Sequence, residues 1–311
     1  MTVVAEYASG LLRTTIRTGP QDGGFTWVRG PGAARPEPLH GPPPTARRTL
    51  AAVEPGPAGR GPGVRCVLPR DPGDASELHY ALPGRSSMAE LLLSGAPSAA
   101  PSAQDTLYGL GRLLRALHAA PLPPAGQADA ACPPPATWRR LRTWFDAPRT
   151  ERAGQLHGSV RALLGEARWS SLERWLTEVR EAGPLTLVHG APGLGLLVVA
   201  EAPDHPHGLI TGEDVGHAPW QWDVGWVIAE LRELRFFSAR LPSADTDWDR
   251  LTRAFTDGYG RTPDALVRRS TVLRSLLHLH DFSVFVAWDE AEIRRYAVLI
   301  ADLMDEQEGV R

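Results

Sequence analysis

The chain has 311 residues, 42% of them hydrophobic, and a formal charge of -3 with no run of like charges. That is enough to bury the core of one large domain or of two lobes sharing a cleft, and too little positive field to hold a nucleic-acid backbone. Lysine is absent and all 33 basic side chains are arginine, so no lysine can contact a phosphate or form a Schiff base.

The first residues, MTVVAEYASGLLRTTIRTG, lack a charged start followed by an apolar core, and no later stretch of about 18 apolar residues appears. The expectation is a cytoplasmic protein with no membrane contact. From Leu11 to Leu82, short β-like runs (GFTWVRG, GVRCVLP, ELHYALPG) alternate with Pro- and Gly-rich segments, which predicts a small β-rich lobe. Its loop at 29–44, RGPGAARPEPLHGPPP, carries enough proline to be extended or mobile, and a short helix is expected near TARRTLAAV. Cys66 and Cys132 form no C-x-x-C pattern and have no adjacent histidine pair, so two ordinary reduced cysteines are expected and no metal site.

Beyond Ser86 the period changes. Leu107, Leu110, Leu113, Leu114 and Leu117 recur at helical spacing until the prolines from Pro121. TWRRLRTWFD, SVRALLGEA and WSSLERWLTEVREAG add amphipathic helices, stopped at Gly183-Pro184. The runs LTLVHG, LGLLVVA and HGLITGEDVG then interrupt the helices with a small β element, after which four further helical segments follow. Trp222, Trp226 and Trp288 are expected in the core of this part. His205 and His207 are placed at a hairpin tip, and His278 and His280, two apart on a helix, do not share a face, so neither pair reads as a metal site.

This order of parts resembles the aminoglycoside phosphotransferase-like family. ELHYALPGR is similar to that family's hinge strand, LGRLLRALHAAPLP to the helix after it, LTLVHGAPGLGLLVV to the H-G-D-x-x-x-x-N catalytic loop, and GLITGEDVGHAPWQWDVGWVIAEL to the I-D-x-E metal segment and the helix following it. The resemblance implies an α+β fold of the bilobal protein-kinase-like type: a β-rich N-lobe at 1–84, a hinge near Tyr80 to Gly84, and a helical C-lobe at 85–311 carrying the catalytic-loop-like β element at 185–216. It also implies where the chemistry should sit, and there the chain departs from the pattern. The catalytic aspartate falls at Ala191, the magnesium-binding asparagine at Leu196 and the metal-bridging aspartate at Thr211, while Arg29 is the nearest substitute for the strand lysine. Alanine and leucine ligate nothing, and a threonine hydroxyl replaces a carboxylate poorly.

His189, Gly190 and Asp223 keep the frame of the loop, and Glu213 and Asp214 follow the lost metal position. In kinase-like folds a histidine at position 189 serves as a structural hydrogen-bonding group, and Asp223 reads as a helix cap. Glu213 and Asp214 read either as a solvated pair on a turn or as groups that hold a cation or activate a nucleophile. The expectation is a pseudokinase that uses no cofactor and binds a peptide in its inter-lobe cleft beneath the 29–44 loop. The family setting it suits is ribosomal peptide maturation of the lanthipeptide or thioamide type, alongside other maturation enzymes. If thiol addition is catalysed there, His189, Glu213 and Asp214 are the candidate base and acid groups. The alternatives are a divergent phosphotransferase with Glu213 or Asp214 as metal ligand, and a scaffold that stabilises a partner enzyme.

Overall fold

Five strands lie in the first part of the chain: β1 (Val3–Ala8), β2 (Leu12–Thr18), β3 (Phe25–Pro31), β4 (Val64–Val67) and β5 (Leu78–Leu82). The computed structural model describes residues 1–19, 24–35, 37–53, 63–70, 76–95, 99–122, 133–240 and 246–308; Cys132 lies outside them. Four of the strands form an antiparallel sheet in the order β1-β2-β3-β5. The sheet starts earlier than Leu11, because β1 pairs with β2 from Val3 onward. Arg29 to Pro31, expected in the loop, complete β3 instead and pair with β2. Helix α1 (Pro44–Ala52) follows with proline in its first turn, where the missing N–H costs nothing.

β4 does not join that sheet. It pairs in parallel with β8 (His207–Ile210), which pairs in turn with β7 (Leu197–Val198). The strand expected to belong wholly to the first part is thus built into the β element of the second. A further pair joins β6 (Thr186–Val188) to β9 (Gly216–Ala218).

The rest is helical: α2 (Met88–Ser94), α3 (Ala99–Ala119), α4 (Ala136–Asp146), α5 (Glu151–Leu164), α6 (Glu166–Glu181), α7 (Gln221–Phe237), α8 (Trp248–Tyr259), α9 (Ala265–Phe285) and α10 (Glu290–Glu308). Side-chain oxygens start several of them: Ser87 accepts from Glu90 N, Thr150 from Ala153 N, Asp247 from Arg250 N and Asp264 from Val267 N. The leucine stripe of α3 is fully buried against Phe255 and Tyr259 of α8. The two helices touch backbone to backbone, since a Cβ on Gly111 would lie 2.3 Å from Phe255 O and one on Gly258 2.1 Å from Tyr108 O. Trp222 is buried in a second core with Trp144 and Trp169, and Trp226 and Trp288 pack half-buried against it.

His207 is not at a hairpin tip. It lies buried in β8, where Nε2 meets Thr106 Oγ1 at 3.0 Å and Nδ1 accepts from Ala200 N at 3.0 Å. His205 is exposed on the turn before it. His278 stacks on Tyr296 and His280 bonds Asp281 at 2.9 Å, so the two histidines serve different neighbours. No helix among the described residues is long and apolar enough to cross a membrane.

Candidate functional site

β6 delivers the chain to His189 and Gly190, and the first turn of α7 brings Asp223 beneath them. Asp223 is fully buried; Oδ2 accepts from His189 N at 2.7 Å and Oδ1 from Gly190 N at 2.8 Å. His118, at the end of α3, places Nε2 3.0 Å from Asp223 Oδ2 and Nδ1 3.0 Å from the Tyr259 hydroxyl. Asp223 therefore holds the loop's backbone instead of capping its own helix, and it also meets His118 of α3. Gly190 has φ +84°, and a Cβ there would lie 1.8 Å from Asp214 O. Only glycine fits this conformation and this approach. Its carbonyl is fixed by Thr137 Oγ1 at 2.8 Å and Trp222 Nε1 at 2.9 Å.

His189 is 1% exposed, and its Nε2–H donates to Ile210 O at 2.9 Å. That bond puts the ring proton on Nε2, while Nδ1 is buried with no partner. Burial holds the ring below the usual histidine range, against the pull of Asp223. In this conformation the ring is enclosed, with Nε2 engaged by Ile210 O.

Ala191, Leu196 and Thr211, where the resemblance implies polar groups, make contacts of another kind. Ala191 is buried and its carbonyl closes a tight turn with Gly193 N at 2.7 Å. Leu196 packs between two apolar clusters. Thr211 Oγ1 donates to Val67 O at 2.8 Å, Thr211 N to the same carbonyl at 3.1 Å, and Thr211 O accepts from the Tyr80 hydroxyl at 2.8 Å. Thr211 thus faces the backbone of β4.

Glu213 and Asp214 do not form a solvated pair. Both oxygens of Glu213 accept from one Arg35 nitrogen, at 2.7 and 2.5 Å, and the same guanidinium donates to Glu37 O at 2.8 Å. The proline-rich strap, from Gly32 to Gly41 with Pro36 outside the description, is in this way tied down on the turn after β8. Asp214 Oδ1 accepts from Thr137 N at 3.1 Å and serves the start of α4, whose Pro135 cap has no side-chain oxygen. Burial pushes the Asp214 carboxyl up, with Arg140 opposing. The guanidinium of Arg29 lies against the Tyr80 hydroxyl and carries its charge toward His189 and Asp214. Among the described residues no three His, Cys, Asp or Glu side chains converge as a metal site needs.

Sequence reasoning did not find the apolar contact between the two parts. Ile16, Trp27, Val67, Leu78, Tyr80 and Leu82 from the first part and Val198 and Ile210 from the β7–β8 hairpin belong to one apolar cluster. The hinge backbone is engaged as well: Trp27 Nε1 donates to Gly84 O at 3.0 Å and Glu201 N to Pro83 O at 3.1 Å. The two parts also meet where Gly10 N of the β1–β2 turn bonds Phe285 O at the end of α9, and Ala34 N of the strap bonds Gly10 O. Burial pushes the Cys66 thiol, on β4 beside this cluster, up to about 12, so it has no thiolate character.

A small antiparallel sheet joined through a hinge to a helical part, with a β6–β9 loop element at the junction, defines the kinase-like phosphotransferase fold. The model of the Phosphotransferase enzyme family matches residues 46–266, and the chain belongs to that family. No curated protein matches it. Among solved structures, ethanolamine kinase from Plasmodium vivax is 11% identical, with 94% of this chain and 78% of that one covered and a TM-score of 0.52. Spectinomycin phosphotransferase in complex with ADP and spectinomycin is 10% identical, covering 99% and 92% with a TM-score of 0.51. Glucosamine kinase in complex with glucosamine, ADP and inorganic phosphate is 16% identical, covering 95% and 81% with a TM-score of 0.51. At these identities the likeness is one of fold.

Proposed function

We propose that this member of the family is a pseudokinase, two lobes divided at residue 84 that bind a peptide without phosphorylating it. The observation that carries the reading is Thr211: both its hydroxyl and its N–H are committed to Val67 O at the position where a phosphotransferase needs a metal-bridging carboxylate. Ala191 and Leu196 add no ligand, and Glu213 and Asp214, the acids next in line, are held by Arg35 and by the start of α4. These residues do not fit magnesium and a nucleotide, which disfavours the divergent phosphotransferase.

A peptide is favoured over a small molecule because the two lobes meet through an apolar cluster at their junction. For the same reason the inter-lobe cleft, where the peptide was expected, is disfavoured as its seat. Thiol addition would need a base and an acid within reach of one substrate. His189 is buried and Glu213 is ion-paired, so holding a precursor during lanthipeptide-type maturation is favoured over cyclising it. A scaffold role toward a neighbouring enzyme differs in one respect: it predicts co-purification with that enzyme and no affinity for free peptide. The deciding experiment is isothermal titration with ATP and Mg²⁺. The expected result is no heat of binding up to millimolar nucleotide, and micromolar, magnesium-dependent binding would overturn the proposal.

A further inference from the structure

Among the described residues, the outermost strand of the first sheet is unpaired along one side. β1 pairs only with β2 and ends the order β1-β2-β3-β5. Five of its six residues are exposed, with Val3 at 50%, Val4 at 38% and Tyr7 at 49%. Its one charged side chain, Glu6, already accepts from Thr15 Oγ1 across the sheet at 3.3 Å. An antiparallel strand directs alternate N–H and C=O groups away from its partner, so an edge strand presents a row of unpaired donors and acceptors. Proteins protect such rows with charge, proline or bulges. β1 has no proline and no arginine, and its single register shift lies between Val3 and Ala5, leaving Glu6 to Ala8 regular.

We propose that β1 is the peptide-binding edge of this protein: an extended segment of a partner adds to the sheet as a further strand beside Val3–Ala8. The inference rests on the peptide-binding reading and gives that peptide a seat on the sheet edge, away from the junction of the lobes. A peptide fits better than a second copy. Six residues of strand span about 20 Å, which suits one extended segment, whereas a stable dimer buries about 1,600 Å² in total. The chemistry β1 accepts is visible on its inner side, where Tyr7 faces Thr14, Ala5 faces Ile16 and Glu6 faces Thr15. The partner segment is accordingly one with β-branched residues on the face of Ala5 and Tyr7 and hydroxyl or basic residues on the face of Glu6.

The probe is a fluorescein-labelled peptide of sequence LRTTIRT, a copy of β2, followed by fluorescence anisotropy against the intact protein, with LRTPIRT as control. Saturable binding in the micromolar range is expected, weakened at least tenfold by the proline in the control peptide and by Glu6→Pro in the protein. Should Glu6→Pro fail to fold, the same question is read on the wild type by hydrogen exchange. Peptide should then slow the amides of Val4 to Ala8 and leave those of the strap unchanged. Equal affinity for both peptides, or protection confined to the strap, would overturn the proposal. Concentration-dependent dimerisation in sedimentation that protects β1 without peptide would also overturn it, in favour of a second copy. ATP binding plays no part in these outcomes, so the pseudokinase reading and the β1 edge fail separately.

Discussion

Arg35 and Glu213, 178 residues apart, form an ion pair that ties the strap after β3 to the turn after β8. Their side chains are only 10% and 15% exposed. Removing either partner leaves the other charge partly buried, which costs about 3–5 kcal/mol for a fully buried pair and less here. Arg35→Ala and Glu213→Gln should therefore each destabilise the protein, and the double variant should be less unstable than the sum. Urea midpoints over the cycle measure this, and strict additivity would mean the pair does not couple the two parts.

Asp223→Ala should be among the most damaging single changes. It strands His189 N, Gly190 N and His118 Nε2 in a dry interior, and the expected loss is about 3–5 kcal/mol. Asp223→Asn keeps one accepting oxygen and should fall between the variant and the wild type. Thermal unfolding of the three proteins checks the order.

Restoring the family's polar residues should not restore chemistry. The triple change Ala191→Asp, Leu196→Asn, Thr211→Asp puts a carboxylate against Val67 O and leaves the Ile16–Trp27–Val198–Ile210 cluster at the junction of the lobes. The expected outcome is no ATP turnover and a stability loss of about 2–4 kcal/mol. Magnesium-dependent ATP hydrolysis by this variant would contradict this expectation.

Stability should depend on His207 in a definite direction. Burial lowers its pKa, so the unfolded chain binds a proton that the folded chain refuses. The contribution is present above the unfolded histidine value of about 6.5 and is lost as the pH falls through it toward the folded value. Asp214 and Glu230, both pushed up by burial, act in the opposite sense, so the His207 share is isolated by difference. The gap in urea midpoint between the wild type and His207→Gln should narrow from pH 7 to pH 5. A constant gap would contradict it.

Helical periodicity made the α3 stripe legible, and the quoted motifs located the loop at His189 and the frame carboxylate Asp223. What stayed hidden depends on partners distant in sequence. VVAEYA gives no alternation because nearly all of β1 is exposed, so the first strand was missed. The role of Trp27 follows from an indole reaching Gly84 O across the sheet, and that of Glu213 from an arginine in a proline-rich stretch that read only as extended. His207 looked like part of a turn because prolines and glycine surround it, yet Thr106 on α3 draws it inside.

The parallel pairing of β4 with β8 also fixes an order of events during synthesis. Val67 O waits for Thr211, 144 residues on, which at bacterial and eukaryotic elongation rates is roughly 7–30 s. Through that interval the meander β1-β2-β3 has its strand partners while Val64–Val67 has none to pair with. A nascent chain ending before His207 therefore carries a strand with its backbone unpaired, and ribosome-bound intermediates of this length are where chaperone capture and misannealing should concentrate.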